Sequence, residues 1–243
     1  MLSERARAVV VLLAALASVA VTARLGVWQL RRASDKEALV HAIGVQAKRP
    51  SLDALELARE EQAAASQFWR PVRLQGHWLP EHTVFLDNRQ MGGRPGFFVV
   101  TPLVLSPGDA VLVQRGWVPR DAEQRTRLPR VDTSSGTVHV LGRIAPPPSQ
   151  LFSFAPDASG PIRQNVDLGP FSREIGVRLR PLSVQQLPGD VSDGLQRDWP
   201  LPAVDVAKHH GYAFQWFALA ILITGLYVWF QLVRPRLARQ RAA

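Results

Sequence analysis

Residues 213–233 read AFQWFALAILITGLYVWFQLV, a run of 21 residues without a charge, and a helix needs about 20 residues to cross the hydrocarbon core of a bilayer. The stretch is long enough to span a membrane. Tyr212, Trp216, Tyr227 and Trp229 fall toward its ends, where amphipathic rings settle among headgroups, and Arg234 and Arg236 stop it at once. The soluble alternative is a buried core helix, for which so long an uncharged run is atypical. Just before the span, residues 208–212 form an interfacial segment with two histidines; after it, residues 234–243 form a basic tail.

A second apolar stretch lies near the other end. Residues 8–23, AVVVLLAALASVAVTA, follow a short tail (residues 1–7) with Arg5 and Arg7, and reach membrane length by continuing through Arg24 to Leu30. An Arg near a helix end can snorkel to the headgroups, so a span over residues 8–30 is tolerable. The same residues fit a cleaved secretory signal, with a basic start, an apolar centre and a site resembling a cleavage point around Val21 and Ala23. Composition leaves both open. The charges flanking the two stretches divide evenly, six basic residues beyond the outer ends and six near the inner ends, but the positive-inside rule weights short tails, so both termini are expected in the cytoplasm and residues 31–207 on the outer side.

The charge supports this division. The whole chain carries 29 Lys+Arg against 20 Asp+Glu, a net charge of +9 and a pI near 11.2, which invites a nucleic-acid partner. Residues 31–207, however, hold 21 basic and 19 acidic residues, while the two ends hold 8 basic and 1 acidic. The basic character therefore belongs to the membrane flanks, and nucleic-acid binding loses its electrostatic argument. The absence of cysteine excludes disulfides, thiolate metal sites and a cysteine nucleophile.

Residues 31–207 read as a mainly β domain with helical lead-ins. Residues 34–47 extend the first helix, and Ser51 is placed to cap a short helix through Leu57 and Glu61 toward Gln67. After Phe68 come PVRLQGHWL, HTVFLDNR, FFVVTPLVL, AVLVQRGWV, TVHVLGRIA and VRLRPLSVQQL, short β-rich runs with Gly, Pro, Asp or Asn between most of them. Their spacing predicts an antiparallel barrel or sandwich-like domain flanked by two transmembrane α-helices. Residues 146–161 read as a loop, followed by a short helix around residues 171–175.

Most catalytic signatures are missing. Gly92-Gly93 lacks the Lys-Ser/Thr of a phosphate loop, Glu60-Glu61 falls in a charge-rich helix, and no Gly-x-Ser-x-Gly elbow occurs. A triad assembled only in space remains open. His77 and His82 suit a metal pair that no third ligand completes. Arg89, Arg94 and Arg115 sit beside Gly or aromatic residues, where guanidinium groups either hold an acidic ligand or serve turns and surface. His209-His210 offers more. A neutral imidazole can ligate haem iron, and a membrane boundary suits a macrocycle with an apolar body and charged propionates. His209, Tyr212 and Trp216 fall at i, i+3 and i+7, on one helical stripe. Equally, the histidines are simple interfacial flanks like Lys208.

Three motifs in order carry a family resemblance. HHGYAFQWFALA resembles the C-terminal membrane signature of the surfeit locus protein 1 family, assembly factors of haem-copper cytochrome c oxidase. GVWQLRRASDKEAL is similar to the family's segment at the end of the first span, at Gly26, Trp28, Gln29, Arg32 and Lys36, and VLVQRGWVPRD resembles its central motif at Arg115, Gly116, Trp117, Val118 and Pro119. Asp35 and Gln114 depart from the usual aromatic residue and Asn. The resemblance implies two uncleaved spans in the bacterial inner membrane, both termini cytoplasmic and a β-rich periplasmic domain.

It also implies a non-enzymatic role in delivering haem a to oxidase subunit I, with the haem a synthesis machinery and membrane lipid as further partners. The haem-associated histidine corresponds to His209, metal ligand to the iron, with His210 as the alternative; Tyr212 and Trp216 would pack the site. Trp28, Gln29, Arg32, Arg115 and Trp117 are the expected membrane-face or partner contacts. Copper delivery calls for soft sulfur ligands, and Met91 is the only internal methionine. A rival from another class is a cofactor-free scaffold that stabilises a partly assembled oxidase; a tethered periplasmic hydrolase is a third.

Overall fold

All six β-rich runs form strands in the computed structural model, which describes residues 3–124, 127–151, 159–189, 193–200 and 206–241. The chain begins with helix α1 (Glu4–Ala47), followed by α2 (Glu61–Gln67) and strands β1 (Pro71–Trp78), β2 (Val84–Met91), β3 (Arg94–Ser106), β4 (Asp109–Pro119) and β5 (Thr137–Ala145). Then come the two-residue β6 (Ile162–Arg163), α3 (Leu168–Ile175), β7 (Arg178–Gln186) and α4 (Val206–Tyr227), which runs through a π-helical turn (Val228–Val233) into α5 (Arg234–Arg241). The chain divides into two compact units, residues 42–200 and the paired ends 1–41 with 201–243.

The strands of residues 42–200 form one seven-stranded sheet in the order β1-β5-β7-β4-β3-β2-β6. The expected antiparallel arrangement needs correction, because β4 pairs with β7, and β2 with β6, in parallel. A parallel neighbour requires a crossover, and the chain between β4 and β7, including β5 and α3, supplies one. As a result β7 inserts between β4 and β5 and the sheet is mixed. β1 also pairs with β3, at His77↔Val104 and Trp78↔Leu103, so hydrogen bonding runs from β3 through β4, β7, β5 and β1 back to β3.

This topology buries β4 on both faces, which is why AVLV reads as a continuous apolar run. Val111 and Val113 pack with Leu57, Val72, Leu103, Ile144 and Leu182 on one side; Ala110 and Leu112 pack with Leu86, Val100, Phe171 and Leu179 on the other. Strand β1 alternates instead, with Val72 and Leu74 buried and Arg73 and Gln75 exposed. Gly92 and Gly93, at φ 57° and 76°, make the two-residue β2–β3 hairpin whose turn needs left-handed backbone at both positions.

The helix expected from Ser51 begins only at Glu61. Leu52 bridges β1 instead: its N–H donates to Pro71 O, and Arg73 N–H donates to Leu52 O. The Asp53 carboxylate then accepts from Leu55 and Glu56 N–H groups, closing a turn where helix was expected. The short helix near residue 171 is α3, which buries Phe171 and Ile175. In the predicted loop, residues 146–151 and 159–161 have neither helix nor strand, and residues 152–158 lie outside the described residues.

Candidate functional site

Among the described residues two helices, Arg5–Ala47 and Val206–Arg241, are long and apolar enough to cross a membrane. Their less exposed positions include Ala15, Val19, Thr22, Gly26, Gln29 and Ala33 on α1, and His209, Ala213, Trp216, Ala220, Ile223 and Tyr227 on α4. Both series alternate steps of three and four, the 3.5-residue period of a left-handed helix pair. Within the seam the Phe217 ring lies against Gly26, where a Cβ would meet ring atoms at 2.8 Å. The hydroxyls of Thr22 and Thr224 donate to Ser18 O and Ala220 O, both at 2.8 Å, so neither is left unpaired in apolar surroundings.

At the polar end of this seam the histidines meet α1. His209 is half-buried, and its Nδ1 lies 2.7 Å from Gln29 Oε1. His210 is exposed, with Nε2 3.1 Å from Glu37 Oε1. Trp216 is half-buried two turns below His209, whereas Tyr212 is 49% exposed and lies off the seam. Trp28 is 50% exposed and carries the Arg32 guanidinium 5.9 Å from its ring centroid. Gln29, His209 and Trp216 therefore share the seam, while Trp28, Arg32 and Tyr212 present outward surface of the kind interfacial aromatic belts use.

The central motif does different work. Arg115 is the extra residue of a β-bulge, since Val99 pairs with Gly116 and Val100 with Gln114. A bulge re-aims the side chain, and Arg115 turns inward to 2% exposure. It donates to Thr133 Oγ1 at 2.6 Å and Asp132 O at 2.9 Å, lies 4.8 Å from the Trp78 ring centroid, and reaches Asp193 Oδ2 at 3.5 Å. Burial pulls its pKa below the ordinary value, and the Asp193 carboxylate opposes that shift. Arg197 holds the same carboxylate at 2.5 Å.

Trp117 is fully buried and donates its indole N–H to Arg89 O at 3.0 Å. Arg115 and Trp117 thus offer no surface to a membrane or partner; they clamp segment 193–200 onto β4, as Trp117 and Gln196 exchange backbone hydrogen bonds at 2.7 and 2.9 Å. Arg89 follows a bulge in β2, is 5% exposed, and ties loops together through Ser149 and Gln164 O. Burial lowers its pKa. Arg94 stacks over Trp117 at 5.4 Å. His77 is hydrogen-bonded to Thr137 Oγ1 at 2.9 Å, and His82 faces Glu81. A cleft of about 740 Å³ between residues 147–150, α3 and β7 includes Ser172, whose hydroxyl donates to Val177 O.

A family model described as SURF1 family matches residues 16–221. The chain belongs to the SURF1 family. Among individual relatives, a SURF1-like protein of Rickettsia bellii is 26% identical over 211 residues, covering 84% of this chain and 83% of that one. An uncharacterized SURF1-like protein of Mycobacterium bovis is 28% identical over 169 residues, 68% of this chain and 61% of its own. The cytochrome oxidase assembly protein SHY1 of Saccharomyces cerevisiae is 31% identical over 97 residues, 39% of this chain and 24% of the yeast protein. The SURF1 match begins inside α1 and ends inside α4, so it contains both Gln29 and His209.

Two contacts of this SURF1 chain escape sequence reasoning. Glu37 lies in the extension of the first helix, where nothing singled it out, yet it meets His210; Gly26 reads as a motif position, and its use is to seat Phe217. Only knowledge of the helix pairing could have joined either residue to its partner.

Proposed function

We propose that this SURF1 protein is a membrane-anchored assembly factor for haem-copper cytochrome c oxidase, which holds haem a transiently through His209 and assists its insertion into subunit I. It sits in the bacterial inner membrane, both termini cytoplasmic and the β-rich domain periplasmic, close to the haem a synthesis machinery. In this reading it is a carrier rather than an enzyme. One observation carries it: His209 is engaged by a side chain of the other span, at 2.7 Å, where the apolar helix pair meets its polar flank. His210 also meets α1, through Glu37, but it is exposed, whereas His209 is half-buried on the seam. The yeast relative, named for cytochrome oxidase assembly, points the same way.

Haem is the cargo, and the side chains suit it. His209 offers a nitrogen ligand, Trp216 and the exposed rings of Trp28 and Tyr212 offer apolar packing, and Arg32 offers charge for a propionate. A carrier must also let go. With association near 10⁶ M⁻¹s⁻¹, a Kd of about 1 μM releases cargo in about a second, whereas 1 nM holds it for roughly a quarter of an hour. A single axial ligand suits the weaker case. The test is to purify the full chain from cells that make haem a. A Soret band lost in His209→Ala supports the proposal; a haem-free protein that co-purifies with an oxidase subunit refutes it in favour of a cofactor-free scaffold.

A further inference from the structure

Resting on the reading of His209 as the haem-holding residue, we propose that Gln29 is a positioning residue that sets the His209 tautomer, so that Nε2 is the atom presented to the cargo. His209 Nδ1 lies 2.7 Å from Gln29 Oε1. An amide oxygen accepts and cannot donate, so the shared proton belongs to Nδ1 and Nε2 keeps its lone pair. That is the form in which an imidazole ligates a metal through Nε2.

The neighbouring histidine is wired the other way. His210 meets Glu37 through Nε2, at 3.1 Å. A carboxylate also accepts, so His210 Nε2 carries a proton and has no free lone pair there. Helix α1 therefore leaves one outer ring nitrogen bare and occupies the other, and adjacent residues of the same type become unequal. His209 is also the one on the seam, half-buried against α1.

The choice of an amide over a carboxylate fits a carrier. A hydrogen-bond acceptor behind a ligating histidine fixes the ring and raises the basicity of its other nitrogen; losing such a partner costs about 10–100-fold in metal affinity. A neutral acceptor pushes less electron density onto the ligand than a carboxylate would, and a weaker ligand releases sooner.

The test uses the full chain, ¹⁵N-labelled at histidine, in lipid nanodiscs without haem, with His209→Ala to assign the signals. The wild type should show His209 protonated at Nδ1 and bare at Nε2. Gln29→Leu should move it toward the Nε2–H form and weaken haem binding about 10–100-fold. Gln29→Glu keeps an acceptor, so it should retain the wild-type tautomer, bind haem at least as well and lower the reduction potential of the bound iron. A wild-type His209 protonated at Nε2 would overturn the proposal, as would Gln29→Leu with tautomer and affinity unchanged. If the tautomer responds as stated but the wild type binds no haem, the carrier reading falls and the tautomer assignment stands.

Discussion

Replacing Gly116 by Ala should destabilise the β-rich unit by about 2–4 kcal/mol, an unusual cost for one methyl group. A Cβ at Gly116 would lie 2.6 Å from Leu195 Cβ and 2.9 Å from Gln196 O. Ordinary carbon contacts are about 3.5–4.0 Å, so segment 193–200 must withdraw by about 1 Å. That movement stretches the paired Trp117–Gln196 backbone bonds from 2.7 and 2.9 Å to beyond hydrogen-bonding range. Each lost bond costs about 0.5–1.5 kcal/mol, and more where the groups stay buried. For a domain of this size the expected fall in Tm is roughly 5–15 °C. The assay is thermal unfolding of the full chain in detergent micelles, followed by tryptophan fluorescence. Gly136 is the control, since among the described residues a Cβ there meets only Ser134 Oγ, at 3.9 Å. Gly136→Ala should change stability by about half a kcal/mol or less. Equal effects of the two substitutions would refute the claim that Gly116 is small because a strap lies on it.

Other consequences follow from the buried charges. Asp193→Asn removes the carboxylate that Arg115 and Arg197, with side chains 3% and 6% exposed, share; urea unfolding should show a loss of about 3–5 kcal/mol. Asp109 accepts two bonds from Arg180, at 3.0 and 2.6 Å, and that hydrogen bonding holds its pKa below the usual carboxylate value. The folded state then binds fewer protons than the unfolded state in acid, so this stabilisation is complete above about pH 4 and is lost as pH falls through the folded value. Asp109→Asn should lower neutral stability and flatten the acid limb of a Tm-against-pH curve, the two curves converging at low pH.

Several elements were legible because local chemistry decides them. The uncharged runs at residues 8–23 and 213–233 read as apolar segments long enough for helix and lie within α1 and within the helix that begins at α4, and six β-rich runs broken by Gly, Pro or Asp became strands. The insertion of β7 between β4 and β5 was not legible, because it depends on where a crossover lands rather than on any residue in the strands. Arg89 and Arg115 misled for a related reason: a bulge beside each turns a side chain that composition places outside toward the interior. At the candidate site, His209 and Gln29 each stood out within its own motif. Their hydrogen bond spans 180 residues, and only the packing of α1 against α4 brings it about.

The most direct measurement is the absorption spectrum of the full chain purified from cells that synthesise haem a, beside its His209→Ala and His210→Ala variants. Haem a held through His209 predicts a Soret band in the wild type, its loss in His209→Ala and its persistence in His210→Ala. A band that survives His209→Ala unchanged, or a wild type without one, would contradict it.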